Sequence, residues 1–140
     1  MAETLTIHLG ERSYPIHFGR NLATHVAQEV SRLKQSGRAV AVVTDRNVAQ
    51  VQAAFLRTAL GEVPTLVLDA GEGTKSLAGL GAALDFLAEH RLDRGGVLVA
   101  VGGGVIGDLG GFAAASYLRG IELYQVPTTL LAMVDSSVGG

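Results

Sequence analysis

The sequence predicts an α/β fold: a Rossmann-like parallel sheet with helices on both faces, preceded by an N-terminal β-hairpin. Short apolar runs alternate along the chain with segments in which leucine and valine recur at helical spacing, the pattern of β–α units. The run Val97–Val101 is apolar throughout, which is typical of a strand buried on both faces of a parallel sheet. It passes without a spacer into Gly102–Gly107, a G-x-G-x-x-G pattern that marks a sharp turn from a strand into a helix.

The first elements follow from alternation and turn residues. The alternating runs Leu5–His8 and Tyr14–Phe18 flank the turn residues 10–13 and predict the hairpin. Asn21 is predicted as the N-cap of a first helix, whose apolar stripe ends before Gly37. The remaining strands are predicted at residues 39–44, 65–69, 97–101 and 121–126. The remaining helices are predicted at residues 48–59, 77–87 and 105–118, with a last helical start near Thr129.

Composition bounds the class of protein. The 140 residues correspond to one domain, and their 48% hydrophobic and 17% charged content is that of a globular protein. The chain contains no cysteine, which excludes disulfides and thiolate metal sites and fits a cytoplasmic location. No apolar run approaches the roughly 20 residues of a membrane span. The net charge of -2 carries no basic block, so we expect neither a nucleic-acid nor a membrane partner.

Polar or glycine-rich residues follow each predicted strand of the sheet. Ligands of open parallel sheets bind beyond the carboxyl ends of the strands, so these segments are predicted to form one nucleotide site. The segments are Asp45–Asn47, Gly71–Lys75, Gly102–Asp108 and Pro127–Thr129. In the common dinucleotide arrangement the glycine motif follows the first strand, whereas here it follows a late one. Asp45, which closes an earlier strand, is therefore the better candidate for a ribose contact.

Five motifs then occur in a fixed order along the chain. They are Gly71-Glu72-x-x-Lys75-Ser76-Leu77, Gly102–Asp108, Tyr117–Gly120, Val126–Ala132 and Val134–Gly140. In this combination, from Asp45 onward, the chain resembles the 3-dehydroquinate synthase family. The resemblance implies a shikimate-pathway lyase that converts 3-deoxy-D-arabino-heptulosonate 7-phosphate into 3-dehydroquinate and phosphate. It also implies NAD as cofactor, a divalent metal (zinc or cobalt) and a homodimer.

The resemblance also implies roles for particular residues. The expected NAD contacts are Asp45, Asn47, Gly71, Glu72, Lys75, Gly103, Gly104, Val105, Ile106, Gly107, Asp108, Thr128 and Thr129. Asp135 is the expected catalytic residue and faces the substrate, and Arg119 is expected to reach the substrate phosphate across the dimer interface.

The residues themselves also allow purely structural roles. Asp45 and Thr128 are suitable helix N-caps, and Asp108 suits the first turn of a helix. Glu72 and Lys75 are spaced as an exposed ion pair. Arg119 before a glycine suits a helix end, and Asp135 suits a polar helix terminus.

In the family the chain continues beyond position 140 into a second domain that carries the metal ligands, a glutamate and two histidines. Residues 1–140 are therefore expected to be the N-terminal NAD-binding domain, without the metal and substrate domain and inactive alone. The four histidines have no metal-binding spacing, so no metal ligand is predicted within the chain. The alternatives are another sugar-phosphate cyclase, such as a 2-deoxy-scyllo-inosose or valiolone synthase, and a non-catalytic nucleotide-binding module.

Overall fold

The structure, a computed structural model, describes residues 2–138 and begins with the predicted hairpin. Strands β1 (Glu3–Ile7) and β2 (Tyr14–Phe18) pair antiparallel as a separate two-stranded sheet. The turn between them contains Gly10, whose φ of 65° is a conformation that glycine adopts without steric cost.

The rest of the chain forms one parallel sheet with helices on both faces, as the sequence predicts. The strands are β3 (Val40–Asp45), β4 (Thr65–Leu68), β5 (Val97–Gly102) and β6 (Glu122–Pro127), in the order β4-β3-β5-β6. The helices are α1 (Ala23–Gln35), α2 (Arg46–Val51), α3 (Ala53–Leu60), α4 (Leu77–Glu89), α5 (Gly104–Ser116) and α6 (Leu130–Val134).

The two faces of the sheet bury separate cores. In β3, Val40 and Val42 pack in the cluster that contains residues of α1 and α3, whereas Ala41 and Val43 pack in the cluster of α4 and α5. The side chains of β5 alternate in the same way. This double burial explains why these strands are apolar at every position.

Three local predictions are wrong. Asn21 does not cap α1, because its backbone is left-handed (φ 56°) and the helix begins at Ala23 after Leu22. The helix predicted at residues 48–59 is two helices, which are separated at Gln52. The helix predicted to reach residue 118 ends at Ser116, since Leu118 takes a left-handed conformation (φ 49°, ψ 35°) that a helix cannot continue through.

The sheet opens at the carboxyl ends of its two central strands. The pairing of β3 with β5 stops at Val43↔Ala100, while β5 stays paired with β6 up to Gly102↔Pro127. β3 meanwhile stays paired with β4 up to Asp45↔Leu68. The chain crosses from β4 on one side of β3 to β5 on the other, so this opening is the topological switch point at which open sheets bind ligands.

Candidate nucleotide-binding site

The opening between the carboxyl ends of β3 and β5 is a crevice, and the turn from β5 into α5 lies at its floor. Gly103 is the N-cap of α5, and the first hydrogen bond of the helix runs from the Gly107 N–H to the Gly103 carbonyl (3.0 Å). The N–H groups of Gly104, Val105 and Ile106 therefore have no acceptor within the helix. Together with the positive end of the helix dipole, these amides favour an anion.

Close packing requires glycine at the start of this turn. A Cβ added at Gly102 would lie 2.7 Å from the Cβ of Ile106, so the strand reaches the helix only through glycine. At Gly104 an added Cβ would lie 3.6 Å from the Ser136 hydroxyl, which is ordinary van der Waals contact, so packing does not require glycine there. A glycine that carries one of the free amides fits a pyrophosphate that approaches the backbone closely.

Asp45 lies at the end of β3, on the opposite side of the crevice. Its Oδ1 accepts a hydrogen bond from the Val48 N–H (2.9 Å), so the helix-capping role that the sequence allows is present. A carboxylate has two oxygens, and capping uses one of them, so a ribose contact remains compatible with the cap. Asn47 is exposed on the first turn of α2.

The loop after β4 joins the crevice through Lys75. Gly71 begins this loop with φ 102°, a conformation for glycine. The Lys75 ammonium lies 3.0 Å from Oδ2 of Asp108 and 3.3 Å from Oε1 of Glu72. The hydrogen bond to Asp108 and then the bond to Glu72 raise the pKa of Lys75. The three side chains are 43–75% exposed, so their pairing adds little stability and they are accessible to a ligand.

The loop after β6 completes this edge of the sheet. The Thr128 N–H donates to the Gly102 carbonyl (2.9 Å), which holds the loop against the glycine turn. The Thr129 hydroxyl accepts from the Ala132 N–H (3.1 Å), so Thr129 caps α6 and the alternative of a Thr128 cap is wrong.

The predicted substrate residues lie at different edges of the sheet. Asp135 is exposed at the end of α6 and directly precedes Ser136, which lies beside Gly104. Arg119 is exposed in the connection from α5 to β6, at the amino edge of the sheet. The structure therefore brings Asp135 to the crevice side of the sheet but does not bring Arg119 there.

Three residues near the crevice were not predicted from the sequence. Thr44 donates its hydroxyl to the Val101 carbonyl at 2.7 Å. Gln125 donates its side-chain amide to the Gly107 carbonyl at 3.3 Å, and Ser136 lies beside Gly104. Polar residues at the end of an apolar strand were the available signal for Thr44 and Gln125.

A broad cleft of about 1820 Å³ lies next to the crevice, between the hairpin and β6. Its lining is mostly apolar and includes Phe112 and Leu130, together with Lys75 and Asp108 of the crevice. Within residues 2–138 no three His, Cys, Asp or Glu side chains come close enough to hold a metal ion. Within the same residues, no helix has the length and apolar character to cross a membrane.

Three of the histidines make ring contacts within the fold. The rings of His17 on β2 and His25 on α1 pack 4.3 Å apart, and Nε2 of His25 is buried without a hydrogen bond in the described structure. The His90 ring packs on Phe86 at 4.4 Å. These contacts give the rings packing roles.

Comparisons with known proteins give the family of the chain. The family described as "3-dehydroquinate synthase N-terminal" matches residues 65–140, more than half of the chain. The chain is 57% identical to the 3-dehydroquinate synthase of Opitutus terrae over 100% of its own length and 39% of that protein. It is 50% identical to the 3-dehydroquinate synthase of Rhodospirillum rubrum over 99% of its own length and 37% of that protein.

A solved structure shows the same fold. The 2-deoxy-scyllo-inosose synthase complexed with carbaglucose-6-phosphate, NAD⁺ and Co²⁺ aligns with a TM-score of 0.81 at 27% identity. The alignment covers 98% of this chain and 38% of that one. The chain thus spans less than two fifths of the relatives that it matches. With this sequence match and this crevice, the chain belongs to the 3-dehydroquinate synthase N-terminal family.

Proposed function

We propose that this chain is the NAD-binding part of a 3-dehydroquinate synthase. The observation that carries the proposal is the convergence of four strand-end loops on the opening between β3 and β5. Lys75 donates to Asp108 and the Thr128 N–H donates to Gly102, so the loops after β4 and β6 are both joined to the β5–α5 turn. Arg46 donates to Asp69 (2.7 Å), which joins the start of α2 to the loop after β4. A dinucleotide-binding site needs such a crevice, with a hydrogen-bond acceptor for a ribose on one side and amide donors for the pyrophosphate in the middle.

The residues of the crevice suit the parts of NAD. Asp45 and Asn47 would hold the adenosine ribose, and the free amides of Gly104–Ile106 would hold the pyrophosphate, with Gly103 and Gly107 shaping the turn. Lys75, with Glu72 and Asp108, would contact the cofactor from the loop after β4, and Thr128 and Thr129 would contact it from the loop after β6. NAD held by these residues would supply a hydride acceptor and donor, the chemistry needed to oxidise a secondary alcohol of a substrate and to reduce it again.

The full reaction needs groups beyond this chain. The relatives are more than twice as long, and no cluster within residues 2–138 could hold a metal ion. We therefore propose that residues 1–140 form the cofactor domain and that a second domain supplies the divalent metal and most substrate contacts. On this proposal Asp135 faces the substrate, and Arg119 reaches the phosphate of a substrate held by the other protomer of a homodimer.

The degree of similarity favours 3-dehydroquinate synthase over its sister cyclases. The chain is 57% identical to one 3-dehydroquinate synthase but 26–28% identical to solved 2-deoxy-scyllo-inosose and valiolone synthases. Release of phosphate from 3-deoxy-D-arabino-heptulosonate 7-phosphate by the full-length protein would support the first assignment. Release from glucose 6-phosphate instead would support a 2-deoxy-scyllo-inosose synthase, and release from neither would contradict the first assignment.

The test of cofactor binding is a calorimetric titration of the purified chain with NAD. We expect saturable binding that Gly104→Val weakens at least about tenfold, because a β-branched side chain on a residue that carries a free amide crowds a ligand that approaches the backbone. Gly81→Ala is the matched control, since a Cβ at Gly81 of α4 meets nothing within 4 Å. Absence of binding to the wild-type chain, or equal binding by the Gly104 variant, would contradict the proposal.

A further inference from the structure

Two halves of the candidate site separate where β3 leaves β5. Asp45 belongs to the half that stays with β4, and the glycine turn belongs to the half that stays with β6. Past the pair Val43↔Ala100, the backbone ladder no longer joins the halves. The width of the crevice at this point sets the distance from the predicted ribose acceptor to the predicted pyrophosphate donors.

Thr44 lies at the base of this opening. Its side chain is 0% exposed and is the one buried polar side chain among the described residues. Its hydroxyl donates to the Val101 carbonyl at 2.7 Å, across the gap between the strands. A buried carbonyl without a donor is costly, so the Thr44 hydroxyl replaces the ladder bond that the divergence of the strands removes.

The two residues of this hydrogen bond are close in sequence to the predicted ligand contacts of both halves. Thr44 directly precedes Asp45, and Val101 is two residues before Gly103, the N-cap of α5. In the described part of the chain, no hydrogen bond beyond it joins β3 or α2 to β5 or α5. The Thr44–Val101 bond is therefore the last hydrogen bond between β3 and β5 and the buried one between the two halves, while the exposed Lys75–Asp108 pair links the loop after β4 to α5.

We propose that Thr44 is a positioning residue that fixes the width of the nucleotide crevice. The identity of the ligand, NAD, rests on the proposed function. The Thr44–Val101 hydrogen bond itself is present in the protein without a ligand. Threonine suits the position because its methyl group fills the core like valine, while its hydroxyl supplies the donor. Valine at this position would keep the shape and lose the bond.

The test compares NAD binding by Thr44→Val, Thr44→Ser and Val42→Ala. Loss of a buried hydrogen bond is expected to raise the Kd for NAD about fivefold in Thr44→Val. Thr44→Ser, which retains the hydroxyl, is expected to stay within about twofold of the wild type on the same grounds. Val42→Ala destabilises the same strand with the hydroxyl intact, so it is expected to lower the Tm without changing the Kd.

A second measurement does not depend on NAD. Hydrogen exchange in the free protein reports on the Val48 N–H, bonded to Asp45, and on the Gly107 N–H, bonded to Gly103. Both amides are expected to exchange faster in Thr44→Val than in Val42→Ala at matched stability. If the wild-type chain binds no NAD, the proposed function fails, and this exchange comparison alone decides the role of Thr44.

Either of two results would overturn the proposal: wild-type NAD affinity and wild-type exchange in Thr44→Val, or the same loss of affinity in Val42→Ala at equal stability. Should Thr44→Val fail to fold, Thr44→Cys replaces it and is compared with Thr44→Ser, because these two side chains are both unbranched and differ in that the thiol is only a weak donor.

Discussion

Helix α5 lies unusually close to the sheet at Gly110. A Cβ at this position would lie 2.9 Å from the Cβ of Ala100 and 3.2 Å from Cγ1 of Val43. Both neighbours belong to the buried central strands β5 and β3. Gly111, the next residue of the same helix, would place a Cβ 3.6 Å from Leu123, which is ordinary van der Waals contact. Gly110→Ala and Gly111→Ala are therefore a matched pair.

The expected free energies of unfolding follow from two opposing effects. Alanine is favoured over glycine in a helix interior by about 1 kcal/mol, and this gain applies at both positions. Overpacking a buried contact costs about 1–3 kcal/mol, and this cost applies at Gly110 alone. We expect Gly110→Ala to be about 1 kcal/mol less stable than the wild type and Gly111→Ala to be about 1 kcal/mol more stable.

Urea unfolding measures both variants, with the free energy extrapolated to water and equal m-values as the check that the same transition is compared. A difference of about 2 kcal/mol between the variants, in the expected order, supports the close approach of α5 to the sheet. Equal stabilities, or a more stable Gly110→Ala, would refute the reasoning from packing.

Three further predictions concern the site. Asp45→Ala removes the cap of α2 and is expected to lower stability by about 1 kcal/mol, whereas Asp45→Asn retains a capping oxygen and stability while weakening NAD binding; urea unfolding and calorimetry separate the two effects. The pKa of Lys75 is raised in the folded state, so its ion pairs contribute fully to stability below the pKa of the unfolded chain. The difference in free energy of unfolding between the wild type and Lys75→Met is therefore expected to be constant from about pH 7 to 9 and to shrink above about pH 10.5. A difference that grows with pH would contradict this expectation. Arg119 has φ 66°, so Arg119→Gly is expected to unfold at the same or a higher urea concentration while Arg119→Val unfolds at a lower one, and the reverse order would contradict the left-handed backbone.

The order of the strands and helices was predictable because each strand of the central sheet is apolar on both faces. The alternation of β–α units, the hairpin and the four loops at the carboxyl edge all follow from this pattern and from the turn residues. Helix ends were less predictable, because a left-handed leucine such as Leu118 has no sequence signature and because an asparagine such as Asn21 suits both an N-cap and a left-handed turn. The break at Gln52 lies within a continuous apolar stripe, so periodicity could not reveal it.

The site was predictable as a set of loops, but its internal contacts were not. Nothing in the sequence pairs Lys75 with Asp108, because the contact joins segments separated by 33 residues and depends on how two loops meet. The role of Thr44 could not be predicted for a similar reason, since a threonine at the end of an apolar strand can also simply pack in the core. Its partner, the Val101 carbonyl, becomes unpaired only when β3 and β5 diverge.

Amide chemical shifts of the labelled chain during an NAD titration show directly whether NAD binds in the opening between β3 and β5. The largest shifts are expected at residues 45–48, 71–75, 102–108 and 128–129, with a single saturation curve. Shifts confined to the hairpin or to the apolar cleft, or no saturable shifts at all, would contradict it.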